Sequence, residues 1–225
     1  MPAFDPNSIP GLLGWYTPTN IFRLNGSASG FNQEVALWKN QLADDHHFTN
    51  SVGNTGVYPT NRLGGPNGSN SVIITLAGFA PIPLTNNLAS SGTNFSIYAI
   101  MEIFPTATFN NIREVFVTGG ALLMRYHPDQ SLGIQILSGA QTIATNTWMS
   151  VAFVNAAPAT RIYTNGVLYL SQAGAAVPGI VNMYMGVPGG NSCNGGFVEM
   201  LFYDAELTAN NLSMLQGYYI NKYGL

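Results

Sequence analysis

From Val72 onward, apolar and polar positions alternate along much of this chain with the two-residue period of a half-buried strand. Val72-Ile73-Ile74-Thr75-Leu76 and Phe95-Ser96-Ile97-Tyr98-Ala99-Ile100-Met101-Glu102-Ile103 combine that alternation with β-branched and aromatic residues. The same character predicts strands over 113–118, 121–126, 132–137, 148–154, 161–164, 167–171, 183–187 and 197–203. Residues 1–70 read differently. There Gly, Pro, Asn and Ser break up short apolar pieces such as Leu12-Leu13-Gly14-Trp15-Tyr16 and Val35-Ala36-Leu37-Trp38, which predicts loops with a few short strands.

Asn165-Gly166, between Arg161-Ile162-Tyr163-Thr164 and Val167-Leu168-Tyr169-Leu170, is a hairpin signal, because a type I′ turn needs positive φ at both central residues. Gly119-Gly120 predicts a similar turn. Many short strands, spaced by roughly 8–12 residues with turn chemistry between them, describe an all-β sandwich or jelly roll. One helix is expected at the C-terminus. Thr208 is a suitable N-cap, Leu212, Leu215, Tyr219 and Tyr223 form one apolar stripe, Lys222 suits the negative helix end, and Gly224 a left-handed stop. With no repeat or linker in view, residues 1–225 are expected to form a single domain.

Composition narrows the function. Charged residues make up 8% of the chain, where an ordinary globular protein has about a quarter. At 46% hydrophobic, the chain has material for a core, so Asn, Ser, Thr and Gln must supply the polar surface. Such a surface suits neutral partners such as sugars or other subunits. The formal net charge is −3, and the seven basic residues (Arg23, Lys39, Arg62, Arg113, Arg125, Arg161, Lys222) are scattered, which argues against nucleic acid. Cys193 stands alone, so no internal disulfide and no cysteine-based zinc site is expected. No apolar run reaches the ~20 residues that span a bilayer, and Met1-Pro2-Ala3-Phe4-Asp5 opens no secretory signal pattern, so no membrane partner is expected.

Two segments carry a family resemblance. Pro6-Asn7-Ser8-Ile9-Pro10-Gly11-Leu12-Leu13-Gly14-Trp15, followed by Trp38-Lys39-Asn40, resembles the opening of laminin-G-like, concanavalin-A-like jelly-roll domains. Glu199-Met200-Leu201-Phe202-Tyr203-Asp204-Ala205-Glu206-Leu207-Thr208, running into Tyr218-Tyr219-Ile220-Asn221-Lys222-Tyr223-Gly224, is similar to that family's closing strand and helix. Between them, Trp148-Met149-Ser150-Val151 and Arg161-Ile162-Tyr163-Thr164-Asn165-Gly166 resemble its middle hairpin. The resemblance implies a two-sheet antiparallel jelly-roll sandwich with a short C-terminal helix. The superfamily includes lectin-like glycan binders, adhesion modules, glycosidases and bacteriophage virion parts, and fold alone does not choose among them.

Glycosidases of this kind carry an E-x-D-x-x-E strand whose carboxyls lie about 5–5.5 Å apart for retaining chemistry. None of the ten acids forms that motif, and Glu102 stands alone in its strand. Asp204 reads as a turn residue and Glu206 as a helix N-terminal charge, while Glu199 suits a structural hydrogen-bonding role. No catalytic residue is assigned. Asp44-Asp45-His46-His47 has ligand chemistry, but neighbouring strand residues point to opposite faces, so the run reads as a solvated loop and no metal site is assigned. No cofactor is implied, and calcium is left open.

Glycan recognition pairs an exposed aromatic face with amide and guanidinium donors. Residues of those types in turn-like positions are Tyr58, Asn61 and Arg62; Arg125, Tyr126 and His127; and Tyr184, Asn191 and Asn194. Of these, Arg125, Tyr126, His127, Tyr58, Arg62, Asn191 and Asn194 are the candidate glycan-binding set. Trp15, Trp38 and Trp148 are assigned to the core or its edge.

The first expectation is a non-catalytic bacteriophage virion surface protein, a capsid decoration or a tail spike or fibre component, made in the host cytoplasm. It would dock on other virion proteins or further copies of itself, with weak adhesion to neutral cell-surface glycans. The alternative is a carbohydrate-binding lectin module for cell-surface polysaccharide. A glycan-cleaving enzyme with an unrecognised acid pair ranks third.

Overall fold

The computed structural model describes residues 4–42, 46–50, 59–74, 84–86, 93–104, 113–118, 121–126, 131–134, 137–138, 142–173, 183–185 and 195–225. Its early strands are β1 (Leu12–Phe22), β2 (Leu37–Asn40), β3 (Phe48–Asn50), β4 (Thr60–Leu63), β5 (Asn70–Ile74) and β6 (Leu84–Asn86). Then follow β7 (Phe95–Ile103), β8 (Arg113–Thr118), β9 (Ala121–Tyr126), β10 (Leu132–Ile134) and β11 (Leu137–Ser138). The last are β12 (Met149–Ala156), β13 (Ala159–Thr164), β14 (Val167–Ala173), β15 (Met183–Met185) and β16 (Gly195–Tyr203), before helix α1 (Ala209–Tyr223).

All strand pairings among the described residues are antiparallel. One layer runs β1-β16-β7-β12-β13-β14, with β5 pairing the start of β16 and β4 beside β5. The other runs β1-β2-β3-β6-β15-β8-β9-β10-β11. Strand β1 belongs to both. Its first half pairs β16 through Leu12–Tyr16, and its second pairs β2 from Tyr16 to Phe22. The layers face each other across aromatic contacts: Tyr16 meets Phe202 edge-on at 5.8 Å between ring centroids, and Phe48 lies 6.1 Å from Phe202. This is the all-β sandwich that the strand spacing predicts, with the two antiparallel sheets that the resemblance implies.

Period two explains the core. On β7, Phe95, Ile97, Ala99, Met101 and Ile103 face the second layer, while Tyr98 and Ile100 face the helix. On β12, Met149, Val151 and Phe153 point one way, and Ala152 and Val154 the other. These central strands are covered on both faces, so they read as nearly continuous apolar runs. Helix α1 closes the outer face with Leu212, Leu215, Tyr219 and Tyr223, and Tyr98 stacks on Tyr219 at 5.2 Å.

The helix begins where expected. Thr208 Oγ1 accepts from Asn211 N and Asn211 Oδ1 accepts from Thr208 N, so each residue satisfies a backbone donor of the other. Gly224 ends it at φ 72, ψ 31, the left-handed stop. Asn165 (φ 49) and Gly166 (φ 78) form the expected hairpin turn.

Two sequence expectations are corrected. The first 70 residues hold more than short strands, since β1 is 11 residues long and includes Gly14 and Pro18. Register shifts between Leu12 and Gly14 and between Tyr16 and Ile21 explain why. Pro18 sits where β1 changes partners, so its missing N–H costs no ladder bond. The run 132–137 is not one strand but the hairpin β10-β11, with Ile134 paired to Leu137. The turn assigned to Gly119-Gly120 lies outside the described residues.

Candidate functional site

Glu199 interrupts an otherwise apolar strand, and a bulge decides which way it points. The register slips between Phe197, opposite Met101, and Glu199, opposite Ile100. Cross-strand partners share a face, so Glu199 lies with Ile100 on the helix side. It has no exposed surface. A carboxylate there needs donors, and three converge on it. Trp15 Nε1 donates to Oε1 at 2.6 Å, while Lys222 Nζ and Tyr223 Oη donate to Oε2 at 2.7 and 2.6 Å. Sequence reasoning gave Glu199 a structural hydrogen-bonding role, and these bonds describe one.

The charges respond accordingly. Burial pulls the Lys222 ammonium down, but the Glu199 charge and the hydrogen bonds outweigh it, so the lysine titrates above its ordinary value. Burial pushes the Tyr223 phenol far up, and the Glu199 charge adds to the effect. Tyr218, whose hydroxyl accepts from Lys222 Nζ at 2.9 Å, is also raised by burial. Glu199 and Lys222 therefore form an ion pair whose acidic partner is wholly covered. Both of its oxygens already accept from protein donors, and it has no exposed surface.

Around this pair the chain builds a cleft. The turn at residues 64–69 folds against Val198, and Gly65 sits so close to Ser69 that a Cβ there would lie 2.5 Å from the serine Oγ. That approach brings Pro66, Asn67 and Ser69 to the helix end, where Asn67 Nδ2 donates to Lys222 O at 3.3 Å. From the other side, Gln41 Nε2 donates to Thr17 Oγ1, which lies 2.9 Å from Thr19 Oγ1. Between them is a cavity of about 450 Å³, lined by Trp15, Thr17, Pro18, Thr19, Gln41, Pro66, Asn67, Ser69, Lys222 and Tyr223. Its walls offer aromatic surface, hydroxyls and amides. The charge lining it, the Lys222 ammonium, already has a counter-ion.

The sequence-predicted residues that are described, Arg62, Arg125 and Tyr126, do not line this cleft. Arg62 is exposed on β4, and the neighbouring Asn61 is buried, its amide donating to Ser29 O at 2.6 Å. Arg125 is half-buried on β9, in the opposite layer from β16. Tyr126 is fully buried in the core. Alternation along β9 points Met124 and Tyr126 inward and leaves Arg125 outward, so the Tyr126 ring has no face to offer a ligand. Arg62 and Arg125 are not brought together. Tyr58, His127, Asn191 and Asn194 lie outside the described residues, as do Asp44 and Asp45. His47 Nδ1 accepts from Asn40 N at 3.2 Å, and among the described residues no three His, Cys, Asp or Glu side chains form a metal-holding group. Glu206 pairs with Arg161 at 2.9 Å.

The cleft residues Trp15, Gln41, Asn67 and Lys222 were not candidates from sequence. The signal was Glu199 itself, since an acid inside an apolar strand implies donors converging on it.

No family model matches the chain, and no curated protein matches it. Solved structures do. Domain 4 of AbnA, a GH43 extracellular arabinanase from Geobacillus stearothermophilus solved in complex with arabinotriose, superposes with a TM-score of 0.61 at 17% identity, covering 92% of this chain and 98% of that one. A sialidase of Trypanosoma rangeli aligns with a TM-score of 0.57 at 15% identity over 95% of this chain. The botulinum neurotoxin serotype D binding domain gives 0.60 at 13% identity, covering 93% of this chain and 52% of that one. What they share is the β-sandwich. The chain spans about a third (33%) of the sialidase's length.

Proposed function

We propose that this chain is a non-catalytic glycan-binding module whose cleft at Trp15 and Lys222 takes a neutral sugar. One observation carries the reading: the cleft's ammonium is matched 2.7 Å away by a fully buried carboxylate. Its N–H groups remain donors, but the local field is balanced. Hydroxyl-rich neutral ligands gain hydrogen bonds there, while an anionic sugar finds no uncompensated positive charge. The aromatic wall and the amides of Gln41 and Asn67 complete the chemistry of sugar recognition. Two of the similar structures, an arabinanase domain in complex with arabinotriose and a toxin binding domain, lend the reading support by fold.

A glycan array followed by calorimetry tests it. The exposed Gln41, replaced by Ala, is expected to weaken binding about tenfold, one lost hydrogen bond to a ligand, while stability falls by no more than the loss of its bond to Thr17 Oγ1, about 1 kcal/mol. Arrays with no neutral binder, or a hit that Gln41→Ala leaves unchanged, overturn the reading.

The virion placement is a second proposal. It is supported by the nearly uncharged composition, 8% charged, which suits docking among neutral subunits. None of the three similar structures named above is a virion protein. Fractionation of purified particles tests it: co-purification at fixed stoichiometry is expected, and absence from the particles ends the proposal.

A further inference from the structure

A second hollow of about 410 Å³ lies on the far side of Lys222, lined by Phe4, Met214, Gly217, Tyr218, Asn221 and Lys222 itself. The two hollows meet at that lysine. Its ammonium has three hydrogens, of which one goes to Glu199 and one to Tyr218. The third makes no hydrogen bond among the described residues, and the ammonium lies over the Tyr218 and Tyr223 rings at 5.1 and 5.3 Å, close enough to the surface to reach a ligand. Tyr218 accepts from Lys222, so its own hydroxyl hydrogen is also available at the junction. Phe4 packs edge-on against Tyr218 at 5.9 Å, walling the second hollow with aromatic surface. Gly217 opens it further, because a Cβ at that position would meet nothing within 4 Å.

We infer that the two hollows form one groove, with Lys222 and Tyr218 as the saddle, built for an unbranched neutral oligosaccharide that crosses from the Trp15 side to the Phe4 side. This rests on the glycan reading above and adds to it the length and linearity of the ligand. A short sugar fills the first hollow alone, and a longer chain gains the second, with donors from the saddle to the hydroxyls where the two meet.

Calorimetry with arabino-, cello- and malto-oligosaccharide series of increasing length tests the inference on wild type and Gly217→Leu. The leucine projects into open space within the second hollow, and it suits a helix better than glycine, so the fold is retained. Wild type is expected to gain about tenfold in affinity between the shortest binding member and the longest, as the second hollow becomes buried. Gly217→Leu is expected to keep the short-ligand affinity and lose the gain. Asn221→Ala, on the exposed helix surface, is the second variant and is expected to lose part of the same gain. If wild type gains nothing with length, or if both variants gain as wild type does, the groove is overturned while the single cleft stands. If wild type binds no member of any series, the glycan reading itself fails, and the groove with it.

Discussion

The Lys222 ammonium lies 2.7 Å from Oε2 of Glu199, a carboxylate with no exposed surface, while the lysine side chain itself remains 34% exposed. This pair ties the last strand to the last turn of the helix and sets the floor of the cleft. Removing Lys222 leaves the buried carboxylate without its counter-charge, with only the Trp15 and Tyr223 donors. Lys222→Met is therefore expected to destabilise by about 2–4 kcal/mol, less than the ~3–5 kcal/mol of a fully buried pair because water can reach the lysine side and two donors remain on Glu199. Glu199→Leu combined with Lys222→Met is expected to recover much of that loss. Urea denaturation of the single and double variants measures both, and additive losses would show that the pair is not coupled.

Two tyrosines one helical turn apart give opposite signs. Tyr223 donates to Glu199 at 2.6 Å, so Tyr223→Phe is expected to cost about 1.5–3 kcal/mol, as for a hydrogen bond to a charged group. The Tyr219 hydroxyl is buried and finds no hydrogen-bond partner among the described residues. Tyr219→Phe removes an unsatisfied group and is expected to be neutral or to stabilise by up to about 1 kcal/mol. Thermal melts of the two variants read out the contrast.

Stability is expected to fall on the alkaline side. Lys222 titrates above its ordinary value in the folded chain, so its contribution is complete below the unfolded value of 10.5 and is lost as pH rises through the folded one. Tyr98, Tyr203 and Tyr219, raised first by burial, act in the same direction, because the unfolded chain releases their protons earlier. Denaturant midpoints above about pH 10 should decline. The decline should be shallower in Lys222→Met, and an identical slope in that variant would exclude the lysine as a contributor.

The hairpin turn is equally specific. Gly166 stands at φ 78, and a Cβ there would approach Gln216 Cγ to 3.2 Å. Gly166→Ala is expected to cost about 1 kcal/mol or more through the left-handed backbone alone. Asn165→Gly keeps the backbone free but loses the Oδ1 acceptor for Ser150 N at 3.0 Å, costing about 1 kcal/mol. Chemical denaturation of both variants checks the order.

Much of the architecture was legible where local and global signals agree. Strands β7, β8 and β9 have the limits their alternation predicts, and the helix carries the cap, stripe and stop that Thr208, Leu212 and Gly224 announce. Strand β1 was hidden because its Pro18 forbids pairing only where β1 passes between layers, a fact of tertiary position. The candidate site was less legible. Trp15, Gln41, Asn67 and Lys222 come from four separate segments, and no local pattern brings them together. Their convergence depends on the slip at Val198 that turns Glu199 toward the helix. Tyr126 was misplaced because a turn-like neighbourhood weighed more than its inward position in β9.

The three tryptophans allow the central claim to be tested in a single titration. Trp15 lines the cleft, Trp38 is fully buried, and Trp148 is tied to Gly64 O through its own indole N–H at 2.9 Å. Their indole N–H resonances can be followed by NMR as a neutral oligosaccharide identified by array is added. The account predicts a saturable shift of the Trp15 signal with Trp38 unmoved; shifts confined to Trp148, or binding that moves none of the three, contradict it.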